Sequence, residues 1–176
     1  MPGPTIFAMG GGGFLSEPAD AALDRILPEA WERGVALCGL SAGSMCWFRH
    51  GITKSGGPPE LVAELGLLPA SNSVHWTAEP DRRAAYVDGV AGGLAPGWGV
   101  DDGAGLRFDG TGLVEAVSAR PGSRAYRVER RDGTGAVTAI PVRRLSAPDS
   151  GVKAPRPEVA ELRELRAARR GGRYGG

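Results

Sequence analysis

Hydrophobic residues fall into short unbroken runs in the first half of the chain and alternate with polar ones in the second. Thr5 to Met9 is such a run, and it stops at Gly10-Gly11-Gly12-Gly13, the pattern of a buried strand feeding a glycine loop. Ser16 offers a helix cap and Pro18 falls in the first turn, where its missing N–H costs nothing. Ala22, Leu23, Ile26 and Leu27 then fit one helical face. Pro28 is expected to interrupt, with Ala30 to Arg33 resuming the helical pattern until Gly34 ends it. Val35 to Leu40 is apolar throughout, which predicts a strand buried on both faces with Cys38 in the core.

Small and then bulky residues from Ser41 to Phe48 predict a helix directly after that strand. Gly51 to Pro59 reads as a loop, and Glu60 to Leu68 as a short helix ending near Pro69. Ser71 to Trp76 predicts a strand, and Glu79 to Val90 a helix opened by Pro80. Trp98 to Phe108, Leu113 to Ser118, Ala125 to Arg130 and Val137 to Val142 predict strands between glycine-rich turns. Helices early and hairpins late point to an α/β sheet finished by antiparallel strands.

Composition changes this picture at one end. Glycine fills 29 of 176 positions, more than twice the usual share of about 7%. Only five of those glycines lie past Leu145, but there the character changes: a proline-rich stretch leads into alternating charges and a Gly/Arg tail. The expected organisation is an α/β domain over 1–145, then a linker and charged tail over 146–176. No internal repeat is evident. Twenty-one basic and 20 acidic side chains leave a net charge of +1, so no global field favours nucleic acid or an anionic membrane as partner. No apolar run approaches the roughly 20 residues of a membrane span. The N-terminus lacks a signal-peptide pattern, and the two cysteines form no CxxC, so a reduced, cytoplasmic protein is expected.

Gly39-Leu40-Ser41-Ala42-Gly43 lies between a predicted strand and a predicted helix. This context suits a nucleophile elbow: small neighbours permit a sharp turn that lifts the serine oxygen out at the strand's end. The N–H of Ala42 and the following helix N-terminus would face a developing oxyanion. A serine nucleophile needs a base, and the chain offers His50 and His75. His50 falls too far along the predicted helix from Ser41, while His75 ends a predicted strand and is the better base. Asp101-Asp102 follows another strand and can supply the orienting acid, with Glu79 as competitor. The glycine run at 10–13 lacks the spacing of a nucleotide-binding loop, and no metal-ligand spacing stands out. Arg82-Arg83 could grip a carboxylate, or lie on a solvated helix face.

These segments resemble the dipeptidase E (aspartyl dipeptidase) family of serine peptidases, whose relatives include cyanophycinase. The matching pieces, in family order, are Met9 to Phe14, Val35 to Phe48, Leu65 to Pro69, Ser73 to His75, Glu79 to Arg83, Val100 to Leu106 and Ala125 to Val128. The resemblance implies a three-layer α/β fold like class I glutamine amidotransferases (flavodoxin-like), its mostly parallel sheet ending in antiparallel strands. It implies hydrolysis of short peptides with an N-terminal aspartate through an acyl-enzyme. Ser41 matches the nucleophile, His75 the base and Asp102 the acidic third member. Arg82 is the better match to the arginine that grips the substrate aspartate, with Arg83 one register away. No metal or organic cofactor is implied, and the chain is expected to be a monomer or homodimer.

The sequence departs from the family at one place. Relatives continue for several tens of residues after the equivalent of Leu27, whereas here Leu27 runs directly into Pro28. The chain therefore resembles an internally truncated member. The missing stretch holds central strands and the loop that gives the family its second oxyanion donor. Gly11 is the candidate replacement beside Ala42. The alternative function is an inactive remnant that acts as a binding or dimerising module through an exposed sheet edge.

Overall fold

A computed structural model of the chain describes residues 5–9, 23–54 and 56–146. The glycine loop at 10–13, the Ser16 cap and nearly all of the expected tail lie outside the described residues. The elements run β1 (Thr5–Met9), α1 (Leu23–Glu32), β2 (Leu37–Leu40), α2 (Ala42–Met45), β3 (Phe48–Thr53), β4 (Glu60–Ala63), β5 (Leu68–Val74) and α3 (Pro80–Ala91). They continue with β6 (Gly97–Val100), β7 (Ala104–Asp109), β8 (Gly112–Ser118), β9 (Ala125–Arg131), β10 (Thr134–Ile140) and β11 (Val142–Arg144).

The result is a mixed α/β fold whose strands pair both parallel and antiparallel. They form two sheets, in the orders β11-β8-β7-β1-β2 and β10-β9-β6-β5-β3-β4. The sheets share one core: Ile6, Leu37, Leu106 and Phe108 from the first meet Phe48, Leu68, Val100 and Ala125 from the second. The Phe48 and Phe108 rings meet edge to face at 5.7 Å. A second cluster of Ile52, Trp76, Tyr86, Val90 and Val128 seats α3 on the second sheet.

Strand register places the chemistry. β1 and β2 run parallel with Met9 opposite Leu40, so Ser41 leaves the carboxyl end of β2. β5 and β6 also run parallel, with Val74 opposite Val100, so His75 and Asp101 leave neighbouring strand ends together. Candidate residues gather where parallel strands end, the usual place for sites in α/β sheets.

Seven expectations need correction. Gly51 to Pro59 is not all loop, since Gly51 to Thr53 complete β3, and the run from Val137 to Val142 is divided at Pro141 between β10 and β11. Pro28 does not interrupt α1, which runs through it from Leu23 to Glu32; the missing Pro28 N–H removes one hydrogen bond without stopping the helix. β2 is not buried on both faces. Among the described residues it is an edge strand paired with β1 alone, and Cys38 is exposed, as are Val35 (51%) and Leu40 (46%). The helix after Ser41 is a single turn, because Phe48 already enters β3; His50 therefore lies on a strand. Glu60–Ala63 is a strand rather than a helix, since pairing with Thr53 back to His50 in a hairpin outweighs local propensity. The run from Trp98 to Phe108 is two strands, broken at Asp101-Asp102-Gly103.

Candidate active site

Ser41 occupies the junction of β2 and α2 at φ 53° and ψ −120°, a conformation L-residues rarely adopt. The turn is held tightly. A Cβ at Gly39 would stand 1.8 Å from the Gly43 carbonyl oxygen, so this position requires glycine. The Ser41 carbonyl accepts the N–H groups of Ser44 (2.9 Å) and Met45 (3.2 Å) and the Ser44 hydroxyl (2.8 Å). Ser44 is fully buried. Its part in fixing the turn was not evident in the sequence, where it is one small residue among several.

His75 also sits at positive φ, 56°. Its carbonyl accepts the Glu79 N–H at 2.8 Å. The next residue, Trp76, is buried against Tyr126 (5.4 Å, stacked) and Tyr86 (6.0 Å, edge to face). A Cβ at Gly99 would come within 2.3 Å of the Trp76 ring, so that glycine lets the indole lie flat on β6. The loop carrying His75 is thereby anchored on one side by an aromatic cluster and on the other by the first turn of α3.

Ser41 Oγ lies 2.8 Å from His75 Nε2, and His75 Nδ1 lies 2.6 Å from Asp102 Oδ1. An ionised carboxylate only accepts hydrogen bonds, so Nδ1 carries the ring proton and donates it to Asp102. Nε2 is then left as an acceptor for the Ser41 hydroxyl. Burial grades outward: Ser41 is 8% exposed, and the side chains of His75 and Asp102 are 16% and 38% exposed. The chain order Ser, His, Asp thus closes into a continuous hydrogen-bonded relay.

The other sequence candidates are placed differently. Ala42 opens α2, at a position whose N–H has no acceptor within the helix. With a single turn behind it, little macrodipole supports that N–H. Gly11 lies outside the described residues. Glu79, the rival acid, instead faces Arg82, Nε to Oε2 at 3.0 Å. The contact is close but poorly aligned, and Arg82 Nε and Nη1 lack hydrogen-bond partners among the described residues although the residue is 7% exposed. Burial pushes the Arg82 guanidinium below its usual value, with Glu79 and then Asp81 opposing that shift. Arg83 lines a groove of about 480 Å³ with Trp76, Val87, Asp88, Tyr126 and Val137. Neither arginine is hydrogen-bonded to the Ser41–His75–Asp102 relay among the described residues.

Cys46 is held in its thiol form by its surroundings. Its thiol donates to the Gly43 carbonyl at 3.0 Å, and burial, then the nearby Glu64 charge, push its pKa up to about 12. Among the described residues no group of three or more His, Cys, Asp or Glu is arranged to hold a metal ion, and no helix is long and apolar enough to cross a membrane.

The family model of peptidase family S51 matches residues 5–116. This chain belongs to peptidase family S51. The matched span contains every member of the relay and ends within β8, before the antiparallel strands β9 and β10. The uncharacterized peptidase YgaJ of Bacillus subtilis (strain 168) is 43% identical over 124 residues, covering 70% of this chain and 54% of YgaJ. The chain spans about half the length of that relative.

Proposed function

We propose that the chain is a serine peptidase that hydrolyses short peptides, with preference for an N-terminal aspartate. The observation that carries this reading is the relay from Asp102 through His75 to Ser41, with contacts of 2.6 and 2.8 Å. His75 Nε2 takes the Ser41 proton as Oγ attacks the scissile carbonyl. The imidazolium formed is stabilised by Asp102 and then protonates the leaving amine. Water attacks the resulting acyl-Ser41 ester by the same proton transfers in reverse order of roles. Ala42 N–H supplies one oxyanion donor and Gly11 N–H the second. Arg82 receives the substrate aspartate: its buried, poorly paired guanidinium gains a carboxylate partner. Arg83 is the alternative, one position along α3.

We read the fold as a shortened version of the class I glutamine amidotransferase-like, three-layer sheet, with the missing stretch between Leu27 and Pro28. Two features support this. Proline belongs in the first turn of a helix, yet Pro28 lies inside α1, as if two helices were joined there. The apolar run of β2 is patterned for burial, yet the strand lies on an edge. The unpaired thiols Cys38 and Cys46 suit a reducing, cytoplasmic setting.

The test is hydrolysis of Asp-X dipeptides together with labelling by a fluorophosphonate, read by mass spectrometry. The label is expected on Ser41. Ser41→Ala is expected to abolish both signals, and His75→Ala to lower turnover by about 10²–10⁴-fold. Turnover surviving in folded Ser41→Ala protein would remove Ser41 as nucleophile. An unchanged Asp/Ala substrate ratio in both Arg82→Ala and Arg83→Ala would remove these arginines as the aspartate site, and a wild-type ratio near one would remove the aspartate preference.

The exposed β2 edge favours a second reading, an inactive remnant that binds a copy of itself. Absence of both turnover and Ser41 labelling in folded, self-associated protein would select it.

A further inference from the structure

Asp101 has a carboxylate that the relay itself does not use. The residue is 8% exposed, and its side chain joins three segments. Oδ1 accepts the backbone N–H of Thr77 at 3.0 Å and the Thr77 hydroxyl at 2.7 Å. Oδ2 accepts the backbone N–H of Arg124 at 2.9 Å. The Asp101 backbone repeats the connection, donating its N–H to the Arg124 carbonyl at 3.1 Å. Thr77 is two residues beyond His75, Asp102 follows Asp101 directly, and Arg124 precedes β9. The Ser123 hydroxyl donates to the Asp102 carbonyl at 2.6 Å, which pins the acid's own backbone to the same turn.

All three partners of the carboxylate are donors, so this position calls for a side chain that only accepts. Asparagine would turn its NH₂ group toward either the Arg124 N–H or the paired Thr77 donors, losing at least one bond whichever way the amide faces. His75 gives the arrangement its importance. A bulky residue at φ 56° is held there only by what surrounds it. Asp101 ties the chain just past that strained residue to the backbone that carries Asp102.

We propose that Asp101 is a positioning residue: its carboxylate, through Thr77 and Arg124, sets the separation and orientation of His75 and Asp102. This rests on the peptidase reading for its kinetic consequence, but not for its structural one. A displacement of about 1 Å between reacting groups can lower rate by about 10²-fold.

The experiment compares Asp101→Asn, Thr77→Ala and Thr77→Ser with wild type. It measures kcat and KM on Asp-X dipeptides, fluorophosphonate labelling rate, thermal melting and the downfield proton NMR signal of the His75 Nδ1–H. Asp101→Asn is expected to remain folded, lower kcat by about 10²-fold with KM within about twofold, and weaken or shift the Nδ1–H signal. Thr77→Ala should move the same readouts less, and Thr77→Ser should restore them. A folded Asp101→Asn protein with wild-type kcat and an unmoved Nδ1–H signal would overturn the proposal. So would loss of activity by unfolding in Asp101→Asn combined with no change in Thr77→Ala. Wild-type protein that neither turns over nor labels, yet loses its Nδ1–H signal in Asp101→Asn, would defeat the peptidase reading and leave the positioning role standing.

Discussion

Ser41 and His75 both hold positive φ, at 53° and 56°, and these are two of three non-glycine residues that do so among the described residues. The third, Asp132, precedes Gly133 in the β9–β10 hairpin, where positive φ at both positions suits a tight two-residue turn. The first two have no such local excuse, and each costs on the order of 1–3 kcal/mol. Strain collected at the relay is the expected mark of geometry held for chemistry. Ser41→Ala and Ser41→Gly separate the two effects, since both remove the hydroxyl but glycine alone relaxes the backbone. Ser41→Gly is expected to be more stable than Ser41→Ala by about 1 kcal/mol, read as a melting temperature higher by about 2–4 °C. Equal melting temperatures would mean that the turn is unstrained. The cysteines give a second residue-scale contrast. Cys38 is exposed, whereas burial holds Cys46 protonated up to about 12. Iodoacetamide is therefore expected to modify Cys38 in folded protein, with Cys46 resisting through pH 9 and reacting only after unfolding. Equal labelling of both sites by mass spectrometry would contradict that burial.

At the scale of elements, the strand–turn–helix around Ser41 makes an asymmetric demand on its two motif glycines. Gly39 stands against the Gly43 carbonyl, but a Cβ at Gly43 would meet no described atom within 4 Å. Gly39→Ala is expected to disrupt the turn, with a large fall in melting temperature and in Ser41 labelling, while Gly43→Ala melts near wild type. A stable Gly39→Ala protein that still labels would show that the turn can be rebuilt. Both glycines were visible in the sequence; which of them is indispensable was not, because that depends on where the helix turns back. The same distinction explains the rest. β5, α3, β8 and β9 were legible because local signals agree with the final pairing, as where Pro80 opens α3, whereas β7 was run together with β6 and β10 with β11. Ser41, His75 and Asp102 were legible because each follows a strand-like run. β4 was misread because Glu60–Ala63 is a strand only by virtue of pairing with β3. Asp101 and Thr77 could not be matched from sequence, since their contact spans 24 positions and exists only once β5 and β6 align.

For the molecule as a whole, the sheet edges bear on self-association. A strand edge exposes unpaired backbone groups, and proteins usually guard such edges with charge. β11 carries Arg143 and Arg144, and β4 opens with Glu60; β2 and β10 contain no charged residue. Both carry exposed apolar side chains, Leu40 on β2 and Val137 on β10, but β2 also follows exposed Val35 and leads straight into Ser41. If the chain lacks strands that its longer relative carries, β2 is where their loss leaves hydrogen-bonding capacity and apolar surface together. Self-association is therefore expected, with β2 of one copy pairing β2 of another. Sedimentation at high micromolar concentration should find a dimer. Cys38→Lys, which places a charge on the exposed face of β2, should return it to monomer, while Val137→Lys on β10 should leave the dimer intact. A wild-type monomer, or a dimer lost in Val137→Lys and kept in Cys38→Lys, would reject pairing through β2. Pairing there would also crowd the serine, so Cys38→Lys should label faster with fluorophosphonate than the dimer does.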